Sequence, residues 1–132
     1  MGYFTKRQSQ STLNQAQHLR RGQQAERMAL RFLKRQSLRL IMRNYRCSRG
    51  EIDLIMREAE MLVFVEVRYR QQHSHGDSLE SITPQKQQRI RLAAQHYLQQ
   101  RDLCYKVALR FDTVTFNGSI KLSTAQWIKN AF

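Results

Sequence analysis

Acidic residues are scarce in this chain. Ten Asp and Glu stand against 23 Lys and Arg, a formal net charge of +13 over 132 residues. Such an excess excludes a basic partner and favours nucleic acid, with an anionic membrane surface as the weaker option. One proline, five glycines and two cysteines exclude collagen, coiled coil and disulfide scaffold. Cys47 and Cys104 lie far apart and outside any CxxC pair, so both are expected as reduced thiols. Four scattered histidines do not complete a zinc ligand spacing with them. No window approaches the ~18 uninterrupted apolar residues of a membrane span. MGYFTKRQSQSTLNQAQ lacks the apolar core of a secretion leader, and Lys6 speaks against myristoylation. The expectation is a cytoplasmic protein that does not enter the membrane.

What is present suits one globular domain: 41% of residues are hydrophobic and 25% charged. Residues 1–18 are rich in Gln, Ser and Thr, carry no acid and show almost no apolar periodicity. They read as a flexible basic tail, with a single domain over 19–132. Ala25, Met28, Ala29, Phe32 and Leu33 then form one helical stripe, with Glu26 at its edge. SLRLIMRNYRC reads as a strand and Ser48-Arg49-Gly50 as a turn. In EIDLIMR, Ile52, Leu54 and Met56 are expected on one face, Asp53 and Ile55 on the other. The short Glu58-Ala59-Glu60 connection makes MLVFVEVRYR its antiparallel partner, apolar on both faces and so central. Residues 71–81, with His73 and His75, read as a loop. Thr83 and Pro84 open a second helix, with Ile90, Ala93, Ala94, Tyr97 and Leu98 inward and Lys86 one turn earlier on that face. VALRFDTVTF reads as a strand, Asn117-Gly118 as a hairpin turn, SIKL as its partner strand, and AQWIKNAF as an irregular ending that packs Trp127 on the body. The order α-β-β-β-α-β-β predicts an α/β/α sandwich around a mixed sheet.

Two of the few acids interrupt apolar strands: Asp53 in EIDLI and Glu66 in VFVEV. A carboxylate in a buried strand is costly unless a cation compensates it. The hairpin makes the two neighbours across the ladder if they share a face. Two converging carboxylates suit a hard divalent cation, Mg²⁺ or Mn²⁺. Arg68 shares the face of Glu66 and can hold a phosphate beside the metal. Asp53-(x)12-Glu66-x-Arg68 is what metal-assisted phosphodiester hydrolysis needs: a polarised phosphate, an activated water and a cation against the developing charge. Each residue also has a plainer reading. Asp53 can pair with an arginine, Glu66 with Arg68, and Asp112 with Arg110. Glu26 can be a solvated helix-edge acid, Lys86 a snorkelling lysine, and His73 and His75 ordinary loop residues. Their joint occurrence favours the site.

These segments carry a resemblance. GEIDLI (Gly50–Ile55) and FVEVRYR (Phe64–Arg70), preceded by GQQAERMALRFL and followed by KQQRI (Lys86–Ile90) and RFD (Arg110–Asp112), resemble the YraN family. That family comprises uncharacterised bacterial proteins expected to have a restriction-endonuclease-like fold and similar, distantly, to archaeal Holliday junction resolvases. The likeness runs from about Gly22 to Trp127. It implies the PD-(D/E)xK nuclease layout, with Asp53 as central metal ligand, Glu66 as second carboxylate and Arg68 in the place of the catalytic lysine. Glu26 matches a supporting helix-1 glutamate, and the Val67 backbone carbonyl is a further ligand candidate. The resolvase likeness implies that a homodimer could present two sites to two strands. One departure stands out: Arg68 stays protonated and cannot be a general base, though it can bind phosphate. Lys86, inward on the second helix, is the candidate for a displaced lysine.

Arg43, Arg46, Arg49, Arg57, Arg68 and Arg70 gather around the hairpin, and Arg89 and Arg91 follow Lys86. Tyr45 and Tyr69 interleave with them and can stack on bases or sugars. No recognition-helix or zinc-finger signature appears, so binding is expected to be independent of sequence and steeply weakened by salt. The functional expectation is a metal-dependent endonuclease-like phosphodiesterase acting on DNA, branched forms included. Two alternatives stay open: a non-catalytic nucleic-acid-binding module of the same fold, and a basic adaptor of a repair or ribosomal assembly.

Overall fold

The computed structural model describes residues 5–71 and 82–132, with side chains from Ser9 onward. The loop histidines His73 and His75 lie outside the described residues. Helix α1 covers Thr5–Arg35. Strands β1 (Arg39–Cys47), β2 (Gly50–Glu58) and β3 (Met61–Arg70) follow. Helix α2 (Pro84–Gln100) crosses over to β4 (Leu109–Asn117), and the chain closes with β5 (Gln126–Ile128). The sheet order is β1-β2-β3-β4-β5, with β3 and β4 parallel and the other pairs antiparallel. A parallel pair needs a crossover, and α2 supplies it.

The helices cover opposite faces. Ala25, Ala29, Leu30 and Leu33 of α1 pack on Leu54, Met56, Val63, Val65 and Val114. Ile90, Ala93, Ala94, Tyr97 and Leu98 of α2, the whole predicted stripe, pack on Ile52, Ile55, Leu62, Phe64 and Phe111. Strand β3 is therefore covered on both sides and central, as its doubly apolar pattern requires.

Three details differ from expectation. Helix α1 begins at Thr5 rather than near Leu19. Its residues 9–20 are exposed except for Ala16, so no apolar stripe marks them in the sequence; Gln, Ala, Leu and Arg simply extend the helix outward from its packed half. Ile52 packs with Ile55 under α2, not with Leu54 and Met56. On β1 beside it, the register against β2 shifts between Leu40 and Met42, and Asn44 takes a left-handed φ of 52° that Asn tolerates better than most residues.

The last strand is Gln126–Ile128, not SIKL. Gly118, at φ 78°, turns its N–H to Arg70 O (2.7 Å), so the chain passes the end of β3 first and pairs with β4 only from Gln126 onward. Fully buried Asp112 then gathers the C-terminal segment. Its carboxylate accepts from Trp127 Nε1 (2.9 Å), the Asn130 amide (2.9 Å) and Arg110 Nε (3.0 Å). Trp127 packs edge-on against Phe32 of α1.

The backbones of α2 and β2 meet at Gly50. A Cβ there would overlap the Arg89 carbonyl oxygen and lie 3.0 Å from its carbon. Gly50→Ala is expected to cost about 1–3 kcal/mol, because a helix backbone rather than a flexible side chain must move. Gly22→Ala, with nothing within 4 Å, is expected to stabilise the exposed helix by about 1 kcal/mol. Urea denaturation of the two variants checks the contrast; equal effects would contradict it.

Candidate metal centre

The sheet opens where the two strand carboxylates sit. Pairing of β2 with β3 runs from Glu58–Met61 to Leu54–Val65 and stops there. Beyond it, β2 continues beside β1 as far as Gly50, and β3 continues beside β4 as far as Arg70. The next positions across the ended ladder are Asp53 and Glu66. Asp53 closes the gap with its side chain: the Val67 N–H donates to Asp53 Oδ2 at 2.8 Å. The carboxylate thus takes over a backbone amide released by the diverging strand. The observed contact at Val67 is made by its N–H.

Glu66 is 5% exposed, and Lys86 Nζ reaches its Oε1 at 2.6 Å from the first turn of α2. Local sequence places that lysine. Thr83 caps the helix by accepting from the Lys86 amide at 3.2 Å, Pro84 stands at the first helical position, and Gln87 Nε2 donates to Ile82 O at 2.8 Å. Asp53 and Glu66 also act on each other's protonation. Burial first, then the Asp53 charge, push Glu66 up to about 7, against the opposing pull of Lys86. Burial also raises Asp53, with the Val67 amide, Glu66 and Lys86 pulling it back. The pair accordingly keeps a proton close to neutrality. Glu26 of α1 is raised by burial and then by Asp53, and is partly relieved by Arg43 and by a hydrogen bond from Asn44.

Asp53, Glu66, Lys86 and Glu26 thus converge from both strands and both helices. Among the described residues no group of three His, Cys, Asp or Glu closes into a full ligand set. The donor set here is two carboxylates, with Glu26 acting through its field. It fits a hard divalent cation that retains much of its water, since Mg²⁺ is commonly held by one or two carboxylates. A buried Glu66 and a half-buried Asp53 that both resist ionising are an unmet demand for positive charge.

Other expected residues divide by location. A cleft of about 640 Å³ between the β1–β2 turn and the start of α2 is lined by Arg46, Arg49, Lys86 and Arg89. On the α1 side, a second cleft of about 600 Å³ contains Glu26, Asn44 and Arg46. Arg68 and Arg70, half-buried on β3 beyond Glu66, already have partners. Arg57 lies at the hairpin end, bonded to Glu60 Oε2 (3.0 Å) and Ala59 O (2.9 Å), away from the carboxylates. Tyr69 packs on the α1 side under Arg21. Tyr45 is tied to His96 and edge-on to Tyr97. Asp112 serves the C-terminal segment on the α1 side. No side chain marks the Val67 amide in the sequence, whereas an Asn inside a strand is a sign that could mark the left-handed position at Asn44.

The chain matches the family model described as "Uncharacterised protein family UPF0102" over residues 25–116. Among curated relatives, each described as a UPF0102 protein, one from Nitrosococcus oceani is 46% identical over 117 residues, covering 89% of this chain and 94% of that one. One from Alkalilimnicola ehrlichii is 48% identical, with 89% and 90% covered. One from Aeromonas hydrophila is 50% identical over 113 residues, with 85% and 84% covered.

The raised Glu66 sets a pH dependence. An unfolded glutamate ionises near 4.5, whereas the folded one holds its proton to about 7. Between those values the folded state binds more protons, so stability falls as pH rises and levels off above about 7. The difference corresponds to about 2 kcal/mol between about pH 5 and about pH 8. Urea denaturation of wild type and Glu66→Gln at both pH values checks it: the loss is expected in wild type and largely absent in the variant. Equal pH dependence would contradict the assignment.

Proposed function

This chain belongs to the uncharacterised protein family UPF0102, and we propose that it is a nucleic-acid-binding, divalent-metal-dependent phosphodiesterase that acts on DNA in the cytoplasm. The observation that carries the proposal is the pairing of half-buried Asp53 with buried Glu66, with Lys86 on Glu66 at the edge of a cationic cleft. A net charge of +13 supports a polyanionic partner. Two free cysteines suit a reducing compartment. Among the described residues no helix is long and apolar enough to cross a membrane.

Asp53 and Glu66 hold Mg²⁺ or Mn²⁺ in this proposal, and Glu26 adds negative field from α1. The cation, when bound, supplies Lewis acidity toward the phosphate and lowers the pKa of water. Asp53 is positioned for its role by the Val67 amide, which fixes one oxygen and leaves the other to the shared site. Lys86 and the cleft arginines bind the phosphodiester and stabilise the charge that builds as water adds to phosphorus and the ester oxygen departs. Arg68, permanently charged, serves phosphate rather than proton transfer.

A non-catalytic nucleic-acid-binding module is the second reading, favoured by Lys86 already neutralising Glu66 and by the arginine at position 68. A nicking assay with Mg²⁺ or Mn²⁺ on linear, flapped and branched DNA separates the two. Cleavage is expected in wild type, reduced about 100-fold or more by Asp53→Asn and by Lys86→Ala, the scale of a lost charge stabiliser. Binding without cleavage of every substrate would favour the module, and cleavage unchanged by Lys86→Ala would remove Lys86 from the chemistry.

A further inference from the structure

We infer that Lys86 is an exchangeable counter-ion shared by two sites, the Asp53–Glu66 pair and a phosphate-binding subsite in the cleft between the β1–β2 turn and α2, so that metal binding at one promotes phosphate binding at the other. The inference deepens the proposed function and rests on its metal site.

Lys86 belongs to both sites. Its Nζ lies on buried Glu66, while its side chain is 55% exposed and lines the cleft. Its backbone cannot follow the side chain. Thr83 caps the Lys86 amide, and one turn later the Arg89 carbonyl abuts Gly50. Only the lysine side chain can swing, and one ammonium on Glu66 cannot at the same time close on a phosphate in the cleft. The other cleft cations are differently committed. Arg46 is paired with Glu51 at 3.5 Å, the acid in the cleft lining. Arg49 and Arg89 pair with no carboxylate among the described residues. Two cations therefore stand ready for an anion, and a third is held back by the carboxylates.

A cation that takes the place of the lysine on the carboxylates releases it. A divalent ion does so with twice the charge. The freed ammonium then joins Arg49 and Arg89, which is the donor set a phosphodiester recognises. Without metal the same residues work against docking: Lys86 is withdrawn onto Glu66, and Glu51 stands in the cleft lining. Because linkage is reciprocal, phosphate in the cleft must tighten metal binding by the same factor.

The test uses the full chain, Mn²⁺ affinity by calorimetry, and anisotropy of a short fluorescein-labelled DNA duplex with and without Mn²⁺, its integrity verified on a gel. In wild type, Mn²⁺ is expected to tighten DNA binding about tenfold, within the usual range of coupling. Lys86→Met is expected to bind Mn²⁺ about tenfold more tightly, because the competing ammonium is gone, and to retain less than about a third of the coupling. Arg49→Met with Arg89→Met is expected to weaken DNA binding about tenfold while leaving Mn²⁺ affinity unchanged. Arg39→Met with Arg57→Met, paired across β1 and β2 toward the hairpin end, removes the same charge and is expected to cost much less. Lys86→Met binding Mn²⁺ no more tightly than wild type, or keeping the full coupling, overturns the exchange. Equal losses in the two double variants overturn the subsite and leave the metal site standing. Mn²⁺ binding that is absent, or unaffected by Asp53→Asn, overturns the metal site and the exchange together.

Discussion

Two carboxylates that repel each other are held side by side where the β2–β3 ladder ends, and the rest of the site is arranged around that repulsion. In partly buried surroundings, like charges at contact distance cost several kcal/mol. The compensation present is modest: one backbone amide on Asp53, one lysine on Glu66 and a retained proton. Each part of the scaffold contributes to this arrangement. The strand divergence exposes the Val67 amide, the Thr83 cap fixes where Lys86 begins, and Gly50 lets α2 approach closely enough for the lysine to reach.

The other face of the sheet shows what a satisfied arrangement looks like in the same protein. There Glu58 and Asp112 share Arg110, whose guanidinium makes two bonds to each: 3.0 and 3.2 Å to Glu58, 3.0 and 3.1 Å to Asp112. Trp127 and the Asn130 amide complete the Asp112 carboxylate. Arg110 holds the Glu58 carboxyl below the ordinary glutamate range, against the effect of burial. Glu66 moves the other way. Two strand acids beside one cation thus occur twice, once closed and stable, once short of positive charge. A structural network closes its electrostatics, whereas an open one needs a ligand to do so, and this difference separates Asp53 and Glu66 from Asp112.

Much of this was legible in the residues. The inward stripe of α2, its Thr83-Pro84 start and the central position of β3 follow from periodicity and capping, which are local. The Asp53–Glu66 neighbourhood follows from a short hairpin connection and a period of two. The misplaced features are the non-local ones. Ile52 lies on the α2 face beside a β1 that shifts register between Leu40 and Met42 and turns left-handed at Asn44, and β5 lies at Trp127 because a buried Asp112 fifteen residues earlier recruits the indole. Helix α1 runs past its packed half into residues with no apolar pattern, where periodicity has nothing to report. The basic residues were the least legible. Arginines that look equivalent in sequence divide among a cleft (Arg46, Arg49, Arg89), a hairpin tip (Arg57) and a buried network (Arg110), and only the fold sorts them.

Anomalous diffraction from crystals soaked in Mn²⁺ tests the central claim most directly. One peak is expected between a carboxylate oxygen of Asp53 and one of Glu66, with Lys86 Nζ moved off Glu66 toward the cleft. Lys86 still seated on Glu66, with no peak between the two acids at saturating Mn²⁺, would contradict it.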